Sequence, residues 1–417
     1  MSSVHRRPLA RLLAGAALAA ALTAPASAAP PMAEPAAVGV DPAALRKLDD
    51  QLHALVDQGK LAGVVTLVAR KGRVAHFDAY GRRDVESGAP LARDTIFRIA
   101  SMTKPVTGVA MLMLYEEGKW RLDDPVAKHI PEFANLKVKA PDGSHVPQTR
   151  PMTMAELMSH TAGFDVSAGY EAHDIAPRDK PLRHMIDKLA ALPLVDQPGT
   201  DWNYGPSVNI QGYIVEKLSG LPLDRFFQER LFAPLGMVDT GFCVPAAKAG
   251  RVARIHTYDA AGRITAAPTL TDPTACPVFK SGSGGLFSTA EDYWRFAQML
   301  EDDGRFQGRR LLKPETVRLM RTNVLKPGVL LDLYGPTQPG IGFGLGVAVV
   351  DDPKAANTPQ AAGSNYWGGA FGTWYWVDPA NDLVFVGMIQ NLQGSVPGRG
   401  TPDVRSLSVR TLYEGLR

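Results

Sequence analysis

The amino-acid sequence predicts an α/β (α+β) fold in which one antiparallel sheet is assembled from both ends of the chain and flanked by helices. A mainly helical domain is inserted between those ends. Three observations carry this expectation. Two strand-like apolar runs, residues 61–70 and 74–80, lie near the N-terminus. Three more, 342–350, 372–377 and 383–390, lie near the C-terminus. From 122 to 271 short helical patterns alternate with loops rich in proline and glycine, and no strand pair of like quality appears there. Strands far apart in sequence around a helical middle are most simply united in a single sheet. The expected division is a sheet domain of 38–121 with 272–417 and a helical domain of 122–271.

The 417 residues, 45% apolar and 8% aromatic, suffice for a large buried core. The start of the chain has the form of a secretory signal. His5, Arg6, Arg7 and Arg11 are basic, residues 12–22 are apolar, and Ala26-Ser27-Ala28 is a small-residue cleavage site. Residues 1–28 are therefore set aside as a signal peptide, and 29–37, rich in alanine and proline, as a flexible lead-in. The apolar run is too short for a stable membrane span, so the mature protein is expected to be exported to periplasm or medium. The signal carries three of the 45 Lys and Arg and none of the 42 Asp and Glu, leaving a mature chain of balanced charge. Nothing in that balance steers it to nucleic acid or anionic lipid.

Each element has a local reason. Asp41-Pro42 followed by Leu45, Leu48, Leu52, Leu55 and Val56 reads as a capped amphipathic helix ending at Gly59. Runs 61–70 and 74–80, joined by Lys71-Gly72, form a β-hairpin whose first strand is apolar throughout, as for a strand covered on both faces. Phe97 to Ala100 lead into a helix that begins near Ser101, continues through Val106, Val109, Met111, Leu112 and Leu114, and stops at Gly118. Helices are expected at 154–160, 181–191, 208–219 and 223–231. No segment recurs at a fixed period. After Ser281-Gly282-Ser283-Gly284-Gly285, a helix over 290–300 opens on Ser288-Thr289-Ala290-Glu291, which fits a capping box. Asp378 to Asp382 turn the last two strands into a hairpin, and a helix over 404–416 closes the chain.

The candidate chemistry centres on Ser101 and Lys104. Ser101 is the one serine in the chain with lysine three residues later. On a helix those side chains share a face, within hydrogen-bond reach of each other. A buried lysine loses its proton readily and can then activate a serine hydroxyl, and the first helical turn favours negative charge nearby. Taken alone, the pair reads first as a helix N-terminus with a solvated lysine. Tyr204, in Trp202-Asn203-Tyr204 just before a helix that opens at Pro206, is a candidate second proton carrier. Taken alone, it is an ordinary surface or core tyrosine. Trp367-Gly368-Gly369-Ala370-Phe371-Gly372-Thr373 reads as a Gly-rich edge strand that a substrate approaches closely. The backbone N–H groups of Ser101 and Ala370 are the candidate oxyanion hole, the alternative being a β-bulge in which glycines relieve crowding. Cys243 and Cys276 are expected to form one disulfide in an exported protein, with two buried thiols as the alternative. No serine lies in Gly-x-Ser-x-Gly, and none of the nine histidines has a metal-ligand spacing. Neither metal nor cofactor is expected.

These motifs, in this order and in this frame, resemble the penicillin-recognising serine hydrolases, the superfamily of class C β-lactamases and DD-peptidases. The chain is most similar to the carboxylesterases of β-lactamase fold, family VIII. The similarity spans nearly the whole mature chain, including 97–107, 122–131, 154–164, 284–292 and 367–379. It implies a β-lactamase/transpeptidase-like fold with Ser101 as nucleophile, Lys104 as base and Tyr204 as partner in proton transfer. It also implies that His160, in Ser159-His160-Thr161-Ala162-Gly163, belongs to a structural turn. Two departures bear on substrate. Gly205-Pro206 follow Tyr204 where β-lactamases and peptidases have Ser and Asn, leaving Asn209 as a candidate replacement at the substrate. Trp367 stands where those enzymes carry Lys or His, so Trp367, Gly368 and Gly369 are the expected substrate-facing residues. An indole cannot pair with a free carboxylate. The expected substrate is a small neutral ester with a short acyl chain. The alternatives on the same machinery are a β-lactam, a D-amino acid amide or peptide, or acyl transfer to an alcohol; a non-catalytic penicillin-binding relative is the alternative of another class.

Overall fold

The computed structural model describes residues 30–164, 175–333, 337–392 and 401–417. The signal peptide expected at 1–28 lies outside them. The main sheet has eight strands, numbered here along the chain. They are β1 (Gly63–Arg70), β2 (Arg73–Asp84), β3 (Ala89–Pro90), β4 (Ile341–Phe343), β5 (Ala348–Val350), β6 (Asn365–Gly368), β7 (Trp374–Asp378) and β8 (Leu383–Met388), in the spatial order β4-β5-β6-β7-β8-β1-β2-β3. All neighbours are antiparallel. The two ends of the chain meet where β1 pairs β8, from Val65↔Met388 to Arg70↔Leu383.

Both faces of the sheet are covered, which is why β1, β7 and β8 are buried at every position. On one face, Val64, Val68, Trp374, Trp376 and Phe385 pack against helix α1 (Pro42–Asp57) and the C-terminal helix α5 (Val404–Tyr413). On the other, Val65, Leu67, Tyr375, Val377, Val384 and Val386 meet α2 (Thr103–Glu116) and α4 (Ala290–Glu301) in the larger core. Alternate residues of one strand therefore serve two cores. Helix α1 opens where the Asp41 carboxylate accepts from Ala43 N–H, with Pro42 in the first turn. It buries Leu45, Leu48 and Leu52, each contributing about 1.5–3 kcal/mol. Helix α2 is buried on all sides from Thr103 to Leu114 and packs against α3 (Ser207–Ser219).

Several elements differ from the sequence expectation. Residues 342–350 are not one strand but two, because Gly344 N–H bonds Val347 O and Gly346 takes a positive φ of 98°, reversing the chain. The Gly-rich strand β6 is not at the sheet edge but lies between β5 and β7. Since β5 pairs only Asn365 and Tyr366, the following Trp367 and Gly368 still have one open side. The central region contains two short hairpins, Lys137–Lys139 with His145–Pro147 and His256–Tyr258 with Ile264–Ala266. Three-residue strands are too short to show a periodicity. Within the expected flexible lead-in, Pro35–Val38 form a 3₁₀ turn and Ala33 N–H bonds Val74 O. Burial of Val38 and Val40 accounts for this order. Helix α4 is capped by Thr289, whose side chain accepts from Asp292 N–H, one residue later than the box at Ser288.

Candidate active site

The centre of the site is the turn that enters α2. Residues Ala100–Met102 form one 3₁₀ turn, and Thr103 begins the α-helix. Ala100 takes φ 44°, a left-handed conformation that an L side chain rarely adopts. It is held from both sides. Ile99 N–H donates to Leu286 O at 3.1 Å, and Ile99 O accepts from the Thr373 hydroxyl at 3.1 Å. This strained entry turns Ser101 out, half-buried, at the head of the helix.

Lys104, one turn on, is 4% exposed. Its Nζ lies 3.1 Å from Ser101 Oγ and 2.7 Å from Ser283 O, and it sits over the Tyr204 ring, 4.5 Å from the centroid. No carboxylate forms an ion pair with it among the described residues. Burial penalises the ammonium and brings its pKa down to about 7. The Ser283 loop is itself fixed by Asn209, whose Oδ1 accepts from Ser283 N–H at 2.9 Å and from the Ser281 hydroxyl at 3.0 Å. The Asn209 Oδ1 thus faces this loop, beside Lys104. Its position at the start of α3 aims it at the loop, and its oxygen is already used there.

The Tyr204 phenol donates to Ser101 Oγ at 2.8 Å. Burial raises its pKa to about 12, opposed by the Ser101 hydrogen bond, the nearby Trp367 indole and the positive charge of Arg405. At neutral pH it is therefore a phenol, not a phenolate. An aromatic wall surrounds it. Trp202 stacks on Tyr204 at 5.8 Å between centroids, Trp367 lies 5.8 Å from Tyr204, and Phe343 closes the ring 5.4 Å from Trp367. His160, with φ 62°, lies fully buried 5.1 Å from the Tyr204 ring. Burial, then the Lys104 charge, lowers its pKa to about 3, so it stays neutral.

Strand β6 and the turn after it border the same turn of Ser101. Gly369 N–H bonds Thr373 O at 2.7 Å and Gly372 N–H bonds Gly369 O at 3.0 Å, which leaves Ala370 at the apex, exposed. Among the described residues the Ala370 N–H has no protein acceptor. Glycine is required at 369, where a Cβ would strike Ile99 O and the Thr373 hydroxyl. Arg405 of α5, which the sequence did not single out, donates through Nη2 to Gly369 O at 3.0 Å and Thr373 O at 3.3 Å. Phe343, separated from every motif, was equally invisible.

Away from this cluster, Cys243 and Cys276 are bonded, 4.9 Å between Cα atoms. Asp49, His53 and Asp78 bring one potential ligand atom each within 4.8 Å of one another, a grouping made by fold and not by sequence spacing. His53 Nε2 pairs with Asp78 Oδ2 at 2.7 Å, and His76 Nε2 with Asp49 Oδ1 at 2.9 Å, so cross-pairing between α1 and β2 accounts for them.

Comparison with protein-family models matches the β-lactamase family over residues 48–408. The chain belongs to the β-lactamase family. This β-lactamase-family protein is a serine hydrolase with the mixed α/β fold of its relatives. It is 37% identical over 358 residues to Protein Rv1367c of Mycobacterium tuberculosis, covering 82% of this chain and 88% of the relative. It is 33% identical over 380 residues to esterase EstB of Burkholderia gladioli, covering 84% and 91%. Among solved structures, EstCE1, described as a hydrolase with promiscuous acyltransferase activity, superposes with a TM-score of 0.74 at 26% identity, covering 89% of this chain and 98% of that one. Among the described residues no helix is long and apolar enough to cross a membrane.

Proposed function

We propose that this β-lactamase-family hydrolase cleaves small, neutral carboxylic esters through an acyl-enzyme on Ser101. The observation that carries the reading is the convergence of two groups of different proton affinity on one hydroxyl. Lys104 Nζ stands at 3.1 Å and the Tyr204 phenol at 2.8 Å from Ser101 Oγ. Their pKa values separate the roles. Lys104, at about 7, is substantially neutral at working pH and takes the Ser101 proton as Oγ attacks the ester carbonyl. Tyr204, at about 12, keeps its proton until a stronger base needs it. It donates to the leaving alkoxide as the tetrahedral intermediate collapses and is reprotonated from the Lys104 ammonium. Deacylation repeats the sequence with water as nucleophile. The oxyanion is held by the N–H groups of Ser101 and Ala370.

The aromatic wall of Trp202, Phe343 and Trp367 favours an apolar acyl or alcohol group. Trp367 stands where related β-lactamases place a cation, which argues against substrates with a free carboxylate. The relative named an esterase supports the ester reading. The description of EstCE1 supports acyl transfer to an alcohol as a second outcome of the same acyl-enzyme. We place the protein outside the cytoplasm. The basic and apolar leader of 1–28 supports this, as does the Cys243–Cys276 bond, since disulfides persist in oxidising compartments.

The test is a panel of chromogenic esters of increasing acyl length, with a cephalosporin for comparison, assayed on the wild type and Ser101→Ala. Turnover of short esters by the wild type alone supports the reading. Equal turnover by both proteins, or preference for the cephalosporin, removes it.

A further inference from the structure

Arg405 lies behind the strand end that carries the proposed oxyanion donor. We propose that it is a positioning residue for acyl transfer: by hydrogen-bonding the Gly369 carbonyl it polarises the Gly369–Ala370 peptide and strengthens the Ala370 N–H as donor to the tetrahedral oxyanion. This rests on the Ser101 reading above. The Gly369 C=O and the Ala370 N–H are the two ends of one resonance-stabilised peptide unit. Electron density drawn onto the oxygen is drawn away from the N–H, and linked hydrogen bonds polarise one another. Arg405 Nη2 is 3.0 Å from Gly369 O, and its charge makes that bond stronger than one from a neutral donor. The second bond, to Thr373 O at 3.3 Å, closes the base of the same turn, while the Ala370 N–H at its apex keeps no protein acceptor among the described residues.

Four further observations separate this arginine from a merely structural one. The buried Arg295 pairs with Glu291 at 2.7 Å and Arg251 pairs with Asp239 at 2.7 Å, but no carboxylate pairs with Arg405 among the described residues. Its Nε is buried without a partner among the described residues, and Nη2 is spent on the two carbonyls of the turn. Gly368 is what admits it, because a Cβ at 368 would come to 2.5 Å from the guanidinium. The same charge reaches the reaction centre, where it acts on the Tyr204 phenol.

The experiment uses the full chain as wild type, Arg405→Ala, Arg405→Lys and Gly368→Ala. Turnover of a p-nitrophenyl ester, affinity for a phenylboronic acid that forms a tetrahedral serine adduct, and fluorophosphonate labelling of Ser101 are all measured. Arg405→Ala is expected to lower kcat about 10- to 100-fold, less than the loss of a whole oxyanion donor, with KM changed less than about twofold. Boronate affinity should fall in proportion. Guanidinium ion at millimolar concentration should restore part of kcat, whereas equal sodium chloride should not. A cleft of ≈ 730 Å³ lined by Arg405, Gly368 and Trp374 gives it access. Arg405→Lys should retain more activity than the alanine variant. Should Arg405→Ala fail to fold, Gly368→Ala carries the test by displacing the guanidinium, and it should reproduce the loss of kcat and boronate affinity. Wild-type kcat in a folded Arg405→Ala or in Gly368→Ala overturns the proposal. So does a loss of kcat with unchanged boronate affinity and no rescue, which marks Arg405 as a clamp of the turn. Absence of labelling at Ser101 in the wild type overturns the parent reading instead, whereas labelling at Ser101 with wild-type rates in Arg405→Ala overturns only this inference.

Discussion

Replacing Lys104 with methionine is expected to make the protein more stable at neutral pH while abolishing its activity. Methionine approximates the length of the lysine stem and carries no charge. Burial moves the Lys104 pKa from 10.5 to about 7, so the unfolded chain holds a proton that the folded chain gives up across that interval. Stability of the wild type therefore rises with pH between about 7 and 10.5. At about 1.4 kcal/mol per tenfold change in proton affinity, the buried lysine costs the folded state roughly 4 kcal/mol at pH 7. Against this, the variant leaves Ser283 O without the bond it accepts from Nζ, a loss of about 1–3 kcal/mol. The net expectation is about 1–3 kcal/mol in favour of Lys104→Met at pH 7, slightly more below it, falling by about 1.4 kcal/mol per pH unit above 7 and reversing sign before pH 10.5. Urea unfolding of both proteins at pH 6, 8 and 10, with ester turnover measured in parallel, checks it. A variant less stable than the wild type at pH 6, or a stability difference that stays constant from pH 6 to 10, would refute the burial argument.

Three other outcomes follow from the same geometry. The kcat/KM for a neutral ester should rise about tenfold per pH unit below about 7 and level off above it, because only neutral Lys104 accepts the Ser101 proton; a profile flat from pH 5 to 9 contradicts this. Tyr204→Phe keeps the aromatic packing and removes the phenol that donates to Ser101 Oγ, so kcat should fall about 10²- to 10⁴-fold with the melting temperature nearly unchanged. Reducing the Cys243–Cys276 bond, which spans 33 residues, should lower unfolding free energy by about 3–4 kcal/mol, while ester turnover at 25 °C persists because neither cysteine borders the Ser101 site.

What was legible in the sequence followed from local pattern. Ser101 and Lys104 share one helical turn, so their contact could be read from spacing three. The β1–β2 hairpin was visible because Lys71 and Gly72 both adopt positive φ, 53° and 70°, as a tight turn between strands requires. The pairing of β1 with β8 was reached only as the simplest closure of two strand sets. What escaped was set by three-dimensional neighbours. Nothing near Arg405 in sequence marks it, since its partners Gly369 and Thr373 lie 36 and 32 residues away. Phe343 joined the aromatic wall only because the run 342–350 folds back on itself, which a continuous apolar pattern hides. Asn209 was placed in the right neighbourhood, but its bonds to the Ser281–Ser283 loop were not legible. Spacing along a helix gives a direction, and only the opposing Ser281–Ser283 loop shows what its oxygen meets.

The central claim is covalent, and mass spectrometry tests it most directly. Wild type, Ser101→Ala and Tyr204→Phe are mixed with a short p-nitrophenyl ester, quenched in acid within milliseconds to seconds, digested and mapped. The account predicts one acyl group on the peptide containing Ser101 in the wild type, slower accumulation in Tyr204→Phe and none in Ser101→Ala. An acyl group on any other residue, or unchanged ester turnover in Ser101→Ala, would contradict it.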